Sequence, residues 1–115
     1  MFENAVRICV ESATDTLLLH DNNLCASVNG KRYEFPINAV QQIILLTTDQ
    51  GPIEDDLEMV IDVGCSTVIC IMSEHECFKP FLFRQIGDVL PIDYHRVIDA
   101  CSCTDDHAFE IYRRK

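Results

Sequence analysis

The hydrophobic pattern of this chain changes period once, and that change fixes the fold class. Up to about residue 72 the apolar positions come as short β-branched runs, several of them alternating, as strands require. Leu24, Ala26 and Val28 fall on one face, and Lys31 to Phe35 alternates again. Asn29-Gly30 stands between these two runs. A type I′ turn needs positive φ at both central residues, so Asn-Gly here predicts a hairpin. Thr16 to Leu19 is a further apolar β-type run, followed by the turn signal Asp21-Asn22-Asn23. Pro36 ends the donor row of the strand before it. Gln41 to Thr48 is β-branched and predicts a strand. Leu57, Met59, Ile61 and Val63 alternate with Glu58, Val60, Asp62 and Gly64, the pattern of a half-buried strand. After a turn at Gly64 to Ser66, Thr67 to Met72 returns as a more buried strand.

Beyond that point Phe78, Leu82, Ile86 and Val89 recur at three- and four-residue steps and predict an amphipathic helix. Ser73 is its expected N-cap, with Glu74 and Glu76 complementing the dipole in the first turn. Pro91 closes it. Asp93 caps a second short helix in which Tyr94, Val97, Ile98 and Cys101 share a face. Ala108 to Tyr112 predicts a last strand. This order predicts one α+β domain over residues 1–115. Its expected form is a curved antiparallel sheet of about five to seven strands, with one or two helices packed on one face or end. The helix should lie over the strand pair 57–63 and 67–72.

Charge narrows the function. The 115 residues carry a net charge of −10, with a pI near 4.6. Nucleic acid and anionic membranes are disfavoured as ligands, since both need basic surface. From Tyr33 to Phe78 there are nine carboxylates and no Lys or Arg. Folded domains normally intersperse both signs. A one-signed stretch of this length suggests a basic partner.

No run approaches the roughly 20 apolar residues of a membrane helix, and the first ten residues do not resemble a signal peptide. The seven cysteines are odd in number and scattered. They fit reduced small hydrophobes in a cytoplasmic protein without disulfides.

Within the one-signed stretch, Asp49 to Asp56 predicts a loop around Gly51-Pro52. It lacks the regular ligand spacing of a calcium loop. Ile53 is an apolar residue amid the charges, as in interfaces that set an apolar anchor in a polar rim. Asp49, Ile53, Glu54, Asp55, Asp56 and Glu58 are therefore the expected partner-binding residues. Cys101-x-Cys103 with His107, and His75-x-Cys77, supply soft ligand types, but their gaps do not match structural zinc sites. No metal or cofactor is expected. No nucleophile–base spacing or phosphate loop marks the chain as an enzyme. Arg113-Arg114-Lys115 is the one basic cluster and is expected to be a solvated tail.

The second half resembles small acidic immunity proteins of bacterial toxin–immunity systems, including those of contact-dependent growth inhibition. The similarity runs through Ile43-Ile44-Leu45-Leu46, Asp49, Asp55-Asp56 and Val60-Ile61. It continues in Phe78, Leu82, Leu90-Pro91, Val97, Cys103-Thr104 and Phe109-Glu110-Ile111-Tyr112. Where such domains often carry an aromatic after the acidic loop, this chain has Glu58-Met59. The resemblance implies a non-enzymatic cytoplasmic protein that binds and neutralises one toxin domain. Many such toxins are nucleases with basic clefts, which an acidic inhibitor would cover. The rival reading is a structural or regulatory α+β module, homodimeric or not, whose acidity serves solubility alone.

Overall fold

A computed structural model describes residues 4–47, 57–103 and 107–114. The chain is α+β, with eight strands in two sheets among the described residues. β1 (Val6–Val10) is followed by a three-stranded meander: β2 (Thr16–His20), β3 (Asn23–Val28) and β4 (Lys31–Pro36). A 3-10 turn (Ile37–Ala39) leads to β5 (Gln42–Thr47), β6 (Glu58–Asp62) and β7 (Thr67–Met72). Helical structure follows, and β8 (His107–Arg113) closes the chain.

The meander follows directly from local turn chemistry. Asp21 and Asn22 (φ +51° and +62°) link β2 to β3, and Asn29 and Gly30 (+54° and +80°) link β3 to β4. Both turns have the positive φ pair of type I′, whose twist matches that of the flanking strands. Leu24 and Ala26 are fully buried on the face the alternation predicts. Pro36 is tolerated because β4 is an edge. At the opposite edge the side chain of Gln85 accepts from the Leu19 N–H at 2.7 Å and satisfies a donor that β2 leaves open.

The larger sheet has the order β1-β7-β6-β5-β8 and departs from the expected single antiparallel sheet. Three of its pairings are antiparallel, but β1 lies parallel to β7, with Val6 opposite Thr67 and Cys9 opposite Cys70. A parallel neighbour needs a long crossover, and here the meander, β5 and β6 provide it. One core unites Ile43 and Leu45, Met59 and Ile61, Ile69 and Ile71 with Leu17, Leu24 and the helices. The other face of the sheet also buries Ile44, Val60, Val68 and Cys70. Val60 therefore departs from the half-buried pattern expected of its strand.

The expected long helix is short and irregular. α1 (Phe78–Pro80) runs into a π-helical turn (Phe81–Gln85) and a 3-10 turn (Ile86–Asp88). Phe78, Leu82 and Ile86 are buried as the period predicts, with Phe81 beside them, whereas Val89 is exposed. Ser73 is not the cap of this segment, which starts later, at Phe78; the Ser73 N–H donates to the Leu57 carbonyl at 2.9 Å and prolongs the sheet. Cys77 takes the N-cap position without a side-chain bond, so Glu74 and Glu76 precede the helix.

α2 (Tyr94–Ser102) begins as expected, with Asp93 accepting from the Arg96 N–H. Its buried face is Val97 and Ala100; Ile98 and Cys101 point to solvent instead. No described helix is long and apolar enough to cross a membrane.

Candidate functional site

The parallel pairing of β1 with β7 brings two distant acidic segments together. One is the β1–β2 loop, which carries Glu11. The other is the turn after β7, which carries Glu74 and Glu76. Between them opens a cleft of about 690 Å³, with Glu58 on its floor alongside Cys9, Cys70 and Met72. Among the described residues no Lys or Arg lines it. One cation reaches its edge: Arg7 Nη2 stands 3.6 Å from Glu58 Oε1. Both groups are partly exposed, so water screens the pair and its contribution is small.

Two buried side chains hold the walls in place. Asp15 is 3% exposed, and its carboxylate accepts the N–H groups of Glu11 and Ser12 at 3.0 Å and of Asn29 at 3.1 Å. These bonds, led by that from Glu11, hold the Asp15 carboxyl down at about 2 against the pull of burial. The same carboxylate ties the Glu11 loop to the Asn29-Gly30 turn.

His75 clamps from the other side. Its Nδ1 accepts from the Cys77 N–H at 3.1 Å, so the ring proton sits on Nε2, which donates to the Ser12 carbonyl at 2.9 Å. Both ring nitrogens are thus committed to backbone. His75 cannot act as a base or metal ligand without breaking a wall of the cleft.

Burial pushes the Cys70 thiol up to about 12, against the opposing effect of Arg7, so it stays protonated. Among the described residues no three His, Cys, Asp or Glu side chains are grouped to hold a metal. In the other soft-ligand cluster, Cys101 is exposed, and Thr47 Oγ1 approaches the Cys103 sulfur at 3.6 Å and accepts from the His107 N–H at 3.1 Å.

Of the six residues expected to bind a partner, Asp49, Ile53, Glu54, Asp55 and Asp56 lie outside the described residues. Glu58, at the start of β6, lies in the cleft. The carboxylates of the one-signed stretch are less uniform in space than in sequence. Glu34 pairs with Arg32 at 3.0 Å, Asp62 accepts from the Gly64 N–H at 2.9 Å, and Glu58 faces Arg7. Glu11 is not a sequence candidate, and Glu74 and Glu76 belong to the one-signed stretch and to the expected helix dipole but not to the expected partner-binding residues. No local signal joins them to Glu11, because they meet only through the parallel pairing.

Comparison of the chain with known protein families, with curated proteins and with solved structures gives no match.

Proposed function

We propose that this chain is a non-enzymatic binding protein that captures and neutralises a basic toxin domain, in the manner of bacterial immunity proteins, acting in the cytoplasm. One observation carries the reading: Glu11, Glu58, Glu74 and Glu76 surround a single cleft whose described lining contains no cation. Carboxylates arranged around a concavity focus negative potential and steer a basic partner into contact. The toxin element rests on the family resemblance alone. The acidic residues Asp49, Glu54, Asp55 and Asp56, with Ile53 as apolar anchor, would extend the contact in sequence from Glu58.

The test is association kinetics with the C-terminal domain of a secreted protein encoded beside this gene. Two charge reversals are compared: Glu11, Glu74 and Glu76 to Lys, and Glu54, Asp55 and Asp56 to Lys. Each should slow association by about tenfold or more at low salt and flatten its salt dependence. Each variant should also fail to protect cells expressing the toxin domain. Unchanged on-rates and salt slopes in both variants would remove acidic capture as the mechanism.

A further inference from the structure

We propose that Cys9 and Cys70 form an oxidation site, in which a hydroperoxide attacked by Cys9 leaves the two residues joined as a disulfide. The two thiols are opposite partners across the parallel ladder of β1 and β7. Residues so paired point to the same face. Neighbouring strands lie about 4.8 Å apart, within the ~4.4–6.8 Å Cα separation that a disulfide spans. Both cysteines are free.

Their surroundings assign them different roles. Cys9 is half-buried and Cys70 is buried, and both line the cleft. Arg7, two residues before Cys9 on the same strand face, interacts with both sulfurs. A peroxide entering the cleft reaches Cys9 first, because it is the more accessible sulfur, so Cys9 is the attacking group and the buried Cys70 is the resolving one.

The chemistry balances in two steps. The Cys9 sulfur attacks one oxygen of the peroxide. An S–O bond forms, the O–O bond breaks, and the thiol proton leaves with the second oxygen as water or alcohol. This gives the Cys9 sulfenic acid. The Cys70 sulfur then attacks the Cys9 sulfur. The S–S bond forms, the S–O bond breaks, and hydroxide departs with the Cys70 proton as water. Two thiols lose two electrons in all, and the peroxide gains them. The product would fasten edge strand β1 covalently to β7 along one wall of the acidic cleft. This inference is independent of the toxin-binding proposal.

The experiment uses the full reduced chain and hydrogen peroxide, followed by alkylation of remaining thiols and mass spectrometry. Cleavage after glutamate isolates Cys9 in residues 4–11 and places Cys70 in residues 59–74, where fragmentation separates it from Cys65. The expected product is the pair of peptides joined through Cys9 and Cys70, about 2 Da below their summed mass, with both thiols lost in step. In Cys70→Ala, Cys9 should instead gain one or two oxygens. In Cys9→Ser, Cys70 should be recovered as a thiol, which keeps the test decisive if the Cys70 variant does not fold. Three results would overturn the proposal: Cys9 unreacted, Cys9 over-oxidised beside an intact Cys70 in the wild-type chain, or linkage of either residue to another cysteine.

Discussion

Replacing Gly87 with Ala should destabilise the fold, although alanine is the better helix former. A Cβ built on Gly87 falls 1.9 Å from the Tyr94 hydroxyl oxygen and 3.1 Å from the ring carbon that bears it. That hydroxyl donates to the Leu82 carbonyl at 2.9 Å, inside the π-helical turn. Burial, with a lesser effect of Asp88, raises the Tyr94 pKa, so the hydroxyl remains a donor. The ring cannot simply swing away, because it stacks on Phe83 with centroids 6.0 Å apart. Helix propensity alone would favour alanine by up to about 1 kcal/mol. Overpacking costs about 1–3 kcal/mol, and loss of the hydrogen bond about 0.5–1.5 kcal/mol. The net expectation is a loss of about 2 kcal/mol.

A double-mutant cycle with Tyr94→Phe isolates the cause. Without the hydroxyl the worst overlap disappears, so Gly87→Ala should cost at least about 1 kcal/mol less in the Tyr94→Phe background. Urea unfolding of the four proteins, with matched slopes, measures this. Additivity within about 0.5 kcal/mol would refute the argument that Gly87 exists to admit the Tyr94 hydroxyl.

Asp15 should govern acid stability. Its folded pKa is lowered to about 2, so its contribution is complete above the ordinary carboxylate value near 4 and is lost as pH falls toward 2. Asp15→Asn should therefore melt lower at neutral pH and show a flatter decline between pH 4 and 2 than the parent; parallel melting profiles would contradict this. His75→Ala leaves the Cys77 N–H and the Ser12 carbonyl without their present partners, and should cost about 2–3 kcal/mol by urea unfolding. A cost under about 0.5 kcal/mol would show that the cleft wall does not depend on this clamp.

What the sequence reveals here depends on how local each cause is. Asn29-Gly30 predicts its hairpin because the turn residues themselves carry the required φ. Asp93 predicts the start of α2 because a cap acts within three residues. The helix start is misplaced because the residues after Ser73 are taken up by turns, His75 N–H to Met72 and Phe78 N–H to His75, before the helix begins at Phe78. β1 gives no readable signal, since its burial depends on a partner far along the chain. Glu11 is unmarked for the same reason. Glu58, Glu74 and Glu76 are legible as members of the acidic stretch, but only Glu58 reads as a partner-binding residue, because the cleft that gathers all four depends on the parallel pairing.

The parallel pairing has a further consequence for how the chain folds. The meander closes through two-residue turns, so its contacts are short-range and can form within microseconds. Val6 meets Thr67 only after the chain between them has been laid out. Closing a loop of that length carries an entropy cost before any contact rewards it. β1 should therefore dock late and separate early, as should β8, which pairs with β5 from Gln42↔Arg113 to Thr47↔His107 over a similar separation. The β1 amides should exchange with solvent at a lower opening free energy than those of β5 and β6, which makes one wall of the acidic cleft less persistent than the centre of the larger sheet.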